Sequence, residues 1–320
     1  MSHTPLPIAT RTSPLALAQA HDLQARLGAA AGVEDAASAF PILGMSTTGD
    51  QITDRALLAA GGKGLFTKEL EVALMAGEAR FAVHSMKDVP TKLPDGLEIA
   101  AILEREDPRD VLLTRDGVSR IEDLPKGARL GTASIRRQAQ ALALRPDLEI
   151  TLLRGNVDTR LSKLRSGEVD ATFLARAGLR RLGRAEAERA PLDTASILPA
   201  PAQGCVGVEI RTGDEDAMAA LAPINHLESQ VRAAAERGFL EALDGSCRTP
   251  IAAHAVLEGS HLHVRGEALM PDGSMRWADE VRTTLPQISE SAARQVGLSL
   301  GAEVKRAGGD TLARIVAETG

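Results

Sequence analysis

Two thiols and one lone acid are the residues best placed to do chemistry in this sequence. Cys247 stands in Gly245-Ser246-Cys247-Arg248-Thr249-Pro250, between a helical run and a strand-like run. A loop thiol beside an arginine is held toward its thiolate form and can act as a nucleophile. Cys205 follows Gln203-Gly204 at the head of an apolar run, where a small hydrophobe is expected to pack into a core. Residue types alone favour Cys247 without excluding Cys205. The acid is Asp88, in His84-Ser85-Met86-Lys87-Asp88-Val89-Pro90, just past the apolar run Phe81-Ala82-Val83. A Lys-Asp pair on a surface contributes little. At the carboxyl end of a strand, where open α/β sheets bind ligands, the same pair takes on a function.

The third feature is electrostatic. Between Arg129 and Arg184 there are twelve Arg or Lys and five acids, a surplus of +7 in a chain whose formal charge is -6. Arg136-Arg137 follow a strand-like run and the small-residue turn Gly131-Thr132-Ala133-Ser134, and Arg154 follows a strand-like run at the turn Arg154-Gly155-Asn156. Backbone N–H groups at helix starts attract anions, and guanidinium forks match carboxylates or phosphates. Gly61-Gly62-Lys63-Gly64-Leu65-Phe66 lacks the spacing of a P-loop and reads as an anion-facing lid or as a plain turn. None of the seven histidines shows metal-ligand spacing with Cys or Asp, and no metal is expected.

These residues need a frame. Residues 6–10 read as a strand, followed by a helix from Ser13 as N-cap and Pro14 at the first helical position to about Leu27. Residues 68–76 form a second helix closed by Gly77, and a buried strand follows it. Strands at 128–131, 149–153 and 171–175 alternate with helices at 134–144 and 158–166, the rhythm of βαβ units and a largely parallel sheet. Residues 206–210 form one more strand, able to return to the first sheet. From His226 the pattern becomes a long helix, three strands and a final helix over about 287–306, a small α+β domain. The charged and Pro-rich stretches 104–110 and 199–204 read as hinges.

At 320 residues the chain has room for two or three domains. Its negative net charge argues against bulk attraction to nucleic acid or anionic membranes. No run approaches the roughly 20 apolar residues of a membrane helix. Met1 to Thr12 shows no secretory signal, and two cysteines make no disulfide framework, so a reducing cytoplasm is expected.

Six ordered segments together resemble the porphobilinogen deaminase family along nearly the whole chain. They are residues 8–17 (IATRTSPLAL), 61–66, 84–90, 104–110 (EREDPRD), 154–161 (RGNVDTRL) and the Cys247 loop. The resemblance implies an α/β fold of two periplasmic-binding-protein-like lobes with mainly parallel sheets, plus a small C-terminal α+β domain. Lobe 1 would comprise residues 1–105 and 200–224, lobe 2 residues 106–199, and the last domain residues 225–320. It implies a cytoplasmic monomer that condenses four porphobilinogen molecules with loss of ammonia, giving hydroxymethylbilane. The primer would be a dipyrromethane cofactor held by a thioether to Cys247.

By the same resemblance Asp88 is catalytic, facing the pyrrole N–H groups. Ser13, Lys87, Asp88, Ser134, Arg136, Arg137 and Arg160 would bind the cofactor; Arg11, Ser13, Lys63, Phe66, Arg154, Arg160 and Arg181 would bind substrate and the growing pyrrole chain. Three positions depart from the family pattern: Ala59 and Ala133 replace a lysine and a serine, and Cys205 replaces an alanine. A two-lobed binding protein for small anions would use the arginines but need neither Asp88 nor Cys247. A single-strand nucleic-acid binder would interleave aromatics with its charges, and Phe173 is the only aromatic in the basic segment.

Overall fold

The structure is a computed structural model, and it describes residues 5–51, 64–246 and 249–319. The chain falls into two compact units. Among the described residues, one comprises 5–51, 64–106 and 205–230; the other comprises 107–204, 231–246 and 249–319.

In the first unit β1 (Ile8–Arg11) leads into α1 (Pro14–Ala31), then α2 (Ala36–Ala39), β2 (Ile42–Met45), α3 (Thr48–Gln51), α4 (Lys68–Met75), β3 (Phe81–Ser85) and β4 (Leu97–Ile102). The sheet order is β2-β1-β3-β9-β4, with β9 (Val206–Arg211) inserted from far along the chain. Strand alternation sends Ile8, Phe81, Val83, Val208 and Ile210 to one face, against Leu23 and Leu27 of α1. Ala9 and Ala82 point to the other, against Leu70 and Leu74 of α4. The short α8 (Glu215–Leu221) adds Ala217 and Leu221 to the α1 side.

The second unit holds a four-stranded sheet, order β5-β8-β6-β7, from β5 (Asp110–Thr114), β6 (Arg129–Gly131), β7 (Glu149–Thr151) and β8 (Ala171–Ala175). Leu112, Leu130 and Phe173 face one side with Ala141 of α5 (Ile135–Leu144). Val111, Leu113 and Leu174 face the other with Leu161 and Leu164 of α6 (Val157–Arg165). α7 (Arg176–Arg181) follows β8 directly.

The same unit contains a three-stranded antiparallel sheet, β10 (Ile251–Glu258), β11 (His261–Leu269) and β12 (Arg276–Thr284), in sequential order. α9 (Leu227–Ala242) and α10 (Glu290–Thr319) bury Phe239, Leu240, Leu300 and Val304 against Ile251, Ala253, Leu262 and Val264. The two helices touch at backbone distance. A Cβ on Gly297 would lie 1.9 Å from the carbonyl oxygen of Ala235, so only glycine fits there.

The α/β architecture is as the sequence implies, and β9 does return to the first sheet. The sheets are nonetheless mixed. β1 pairs with β2 and β3 in parallel, as does β6 with β7 and β8, whereas β9 runs antiparallel to β3 and β4, and β5 antiparallel to β8. The antiparallel strands are those entering or leaving across the stretches read as hinges. Stretch 104–110 ends inside a strand, because Asp110 opens β5. The final helix extends beyond the expected Arg306 to Thr319, with a break at Gly309, whose backbone leaves the helical region. Among the described residues no helix is long and apolar enough to cross a membrane.

Candidate functional site

In the first unit the candidate residues collect where β1 and β3 end. Arg11 is the last residue of β1, and Ser13 caps α1, its Oγ accepting from the amide of Ala16 at 3.4 Å. β3 gives way to a single 3-10 turn, Met86–Asp88. The amide of Met86 donates to the carbonyl of Cys205 (3.1 Å), and the Met86 and Val89 side chains are buried. Lys87 and Asp88 lie between those two anchors and are half-buried.

Arg11 is fixed from three sides. Its Nε donates to Asp50 Oδ2 at 3.1 Å, its Nη2 pairs with Asp50 Oδ1, and its guanidinium carbon lies 4.3 Å from the centroid of the Phe66 ring. Burial works against the charge of Arg11. The Asp50 bond and the charges of Asp88 and Asp50 together outweigh it, so the guanidinium is held more firmly protonated than usual. Asp50 is tied down by Thr47, whose amide (3.2 Å) and hydroxyl (2.7 Å) donate to Oδ2. Behind the turn, His84 Nε2 meets Glu209 Oε2 at 2.8 Å, both side chains buried between β3 and β9. Neither Asp50 nor Glu209 carried a motif signal; each is defined by a partner distant in sequence.

In the second unit Ser134 caps α5, accepting from the amide of Arg137 (3.4 Å), and its own amide donates to Thr132 Oγ1 (3.1 Å). Arg136 and Arg137, the first residues after that capped turn, are buried rather than laid over the surface. Both reach Asp110: Arg136 Nη2 to Oδ2 at 2.8 Å, Arg137 Nη2 to Oδ1 at 2.8 Å and Nε to Oδ2 at 3.1 Å. Burial would raise the Asp110 carboxyl, but the two guanidiniums overcome it and hold the group well below the usual range.

Arg154 follows the buried Leu153 and is half-buried. Gly155 turns the chain there with φ of 117°, and a Cβ would strike Thr159 at 2.6 Å. Asn156 then caps α6, its Oδ1 accepting from Thr159 N at 2.9 Å, and Arg160 Nε donates back to the Gly155 carbonyl at 2.8 Å. Arg181 closes α7 and donates to the Gly204 carbonyl at 2.8 Å.

Much of the +7 segment is matched by acids. Arg129 pairs with Asp170, Arg145 with Asp147, Arg165 with Glu186, Arg176 with Asp107 and Arg184 with Asp158. Cys247, Lys63 and Ala59 lie outside the described residues. The flanks of the cysteine loop are described: Ser246 N donates to Thr249 Oγ1 (3.2 Å) and Thr249 N to the Ser246 carbonyl (3.1 Å). Cys205 is buried.

Two family models cover most of the chain. Residues 6–219 match the porphobilinogen deaminase dipyrromethane cofactor binding domain, and residues 230–306 match the porphobilinogen deaminase C-terminal domain. The chain belongs to the porphobilinogen deaminase family. The porphobilinogen deaminase of Caulobacter vibrioides is 52% identical over 315 residues, covering 96% of this chain and 97% of its own. That of Phenylobacterium zucineum is 52% identical over 312 residues, covering 95% and 97%. Among solved structures, the BvgS periplasmic VFT2 domain of Bordetella pertussis aligns with a TM-score of 0.40 and 17% identity, over 68% of this chain and 86% of its own. The activity is therefore that of a porphobilinogen deaminase (hydroxymethylbilane synthase), a transferase of tetrapyrrole biosynthesis that uses a dipyrromethane cofactor.

The donor set suits such a cofactor. Each pyrrole carries an acetate and a propionate, which call for cations and N–H donors, and ring nitrogens that call for an acceptor. The second unit offers Arg136, whose Nε is buried with no partner among the described residues. The first unit offers the half-buried Asp88.

Proposed function

We propose that Asp88 is the catalytic carboxylate of this chain and that Cys247 carries the cofactor through a thioether. Ser13, Lys87, Ser134, Arg136, Arg137 and Arg160 take part in binding the cofactor, and Arg11, Lys63, Phe66, Arg154 and Arg181 in binding the incoming substrate; Ser13 and Arg160 serve both. The observation that carries this reading is the placement of Asp88. It sits on a one-turn helix anchored by buried Met86 and Val89, with its charge acting on Arg11.

Porphobilinogen loses its aminomethyl nitrogen as ammonia, and the electrons that expel it come from the pyrrole ring. Positive charge then spreads over the ring and its N–H. A carboxylate fixed beside that N–H accepts its hydrogen bond and stabilises the cation as it forms, which is electrostatic catalysis by a preorganised group. When attached, dipyrromethane supplies the free α-carbon from which the chain grows. The arginines bind the acetate and propionate groups through charge-assisted hydrogen bonds, each contributing about 1.5–3 kcal/mol. Lys87 stands beside Asp88 on the same turn and places a cation next to the acid for a carboxylate of the ring that Asp88 addresses.

Three domains, residues 1–105 with 200–224, 106–199 and 225–320, acting as a cytoplasmic monomer, complete the proposal. The match of one family model to residues 6–219 and another to 230–306 supports a boundary before the last domain. Intact mass and peptide mapping test the attachment. Cys247→Ser is expected to lack covalent pyrrole and activity, while Cys205→Ala retains both. An adduct mapped to Cys205 would overturn the assignment.

A further inference from the structure

Asp110 opens β5 with its side chain fully buried. Its two oxygens receive four N–H donors. Oδ1 accepts from Arg137 Nη2 (2.8 Å) and Gln203 Nε2 (2.8 Å); Oδ2 accepts from Arg136 Nη2 (2.8 Å) and Arg137 Nε (3.1 Å). The far side of each guanidinium is also committed, Arg136 Nη1 to the Leu198 carbonyl (2.7 Å) and Arg137 Nη1 to that of Phe173 (3.0 Å). Gln203 reaches the Pro108 carbonyl as well (2.7 Å), so the carboxylate joins the start of β5, the first turn of α5 and the return segment before β9.

The charge balance is uneven. One carboxylate stands between two cations that are only 5% and 6% exposed. The other acid acting on Arg136 is Glu267 of β11, which is paired with Arg276 Nε at 2.6 Å. Burial raises the Glu267 carboxyl against the pull of Arg276, and its charge is already matched by that arginine. A buried charge without a full partner is costly. An anion bound beside the two arginines would complete the balance.

We propose that Asp110 is a positioning residue for the cofactor. It locks the forks of Arg136 and Arg137 and leaves one positive charge, together with the unpartnered Arg136 Nε, for a carboxylate of the pyrrole chain. This rests on the reading that these two arginines hold the cofactor. Sharing one acid between neighbouring arginines fixes the direction of both without neutralising both; a second acid would have cancelled the attraction.

The test separates folding from loading. Stability is measured by thermal unfolding of the full chain in a Cys247→Ser background, where the attachment point is missing. Loading is the fraction of Cys247-containing chains that carry pyrrole by intact mass after refolding with limiting hydroxymethylbilane. Asp110→Glu keeps the charge and shifts it by one methylene. It is expected to unfold within a few degrees of its parent while loading drops tenfold or more. Asp110→Asn, which leaves both cations unbalanced, is expected to load no better. Arg136→Gln is run alongside. If Arg136→Gln loads like the parent, the reading of the arginines fails. If Arg136→Gln is impaired but a folded Asp110→Glu loads normally, the positioning role fails. If neither Asp110 variant folds in the Cys247→Ser background, Asp110 is a structural counter-ion and the proposal is overturned.

Discussion

Each compact unit ties arginine to a single aspartate, and the two arrangements differ in burial and in count. In the first, Arg11 and Asp50 make a one-to-one pair, each about a fifth exposed, with the flat face of the guanidinium on Phe66. In the second, Asp110 serves two arginines and is out of contact with water. A neutral, half-wetted pair can exchange its internal carboxylate for a carboxylate of a ligand at small cost. A buried two-to-one cluster cannot, and carries net positive charge whether or not a ligand is present. The proposed roles, Arg11 with substrate that comes and goes and Arg136 with Arg137 on a cofactor that stays, follow that difference.

The sharpest way to break this comparison is to remove each acid in the Cys247→Ser chain and measure urea unfolding. Asp110→Ala leaves two buried guanidiniums without their acid and is expected to cost about 3–5 kcal/mol. Asp50→Ala, which breaks a pair still in contact with water, is expected to cost less, on the order of 1 kcal/mol. Equal losses would mean that burial does not distinguish the clusters.

A smaller effect, read in turnover, is expected at Asp88. A carboxylate about 4 Å from a cation contributes roughly 4 kcal/mol at an effective dielectric near 20. Part of that is already present in the ground state. Asp88→Asn should therefore slow steady-state turnover by about 10², equivalent to roughly 2.7 kcal/mol, with circular dichroism unchanged. Asp88→Glu keeps the charge and should retain part of the activity. Near-normal turnover in a folded Asp88→Asn chain would remove Asp88 from the mechanism.

The smallest expected effect is in acid. Burial raises the Asp107 carboxyl, but Arg109 and Arg176 overcome this and bring it down to about 2. A carboxyl depressed on folding stabilises the protein above its ordinary pKa, and that contribution is lost as pH falls through the folded value. The second unit should lose this share between about pH 4 and 2, and Asp107→Asn should flatten the stability curve there. Glu71 in the first unit has the opposite sign. Burial raises its carboxyl, so its cost to stability appears as pH rises past the ordinary glutamate value, and Glu71→Gln should relieve it. Stability measured from pH 2 to 7 for both variants checks the two signs.

Local chemistry made much of the frame legible. Ser13 with Pro14, Ser134 before α5 and Gly77 after α4 are seen in the structure where their residue types suggest. β8 matches its expected limits at both ends. The strands β2, β4 and β5 were not legible. Leu97–Ile102 shows no strict alternation, and Asp110–Thr114 follows a charged, Pro-containing stretch that reads as a hinge. Their strand character comes from partners, β9 for β4 and β8 for β5, some sixty or more residues away.

The site divides along the same line. Sequence alone picked out Asp88 at a strand end, the arginine-rich segment and the loop of Cys247, because capping, turn and charge signals act within a few residues. Only the tertiary structure decided which of those arginines are matched by acids and which acid is buried with them. Asp110 meets Arg136, Arg137 and Gln203 across 26, 27 and 93 residues. Burial of a charge depends on what packs around it from distant parts of the chain, and no local pattern records that.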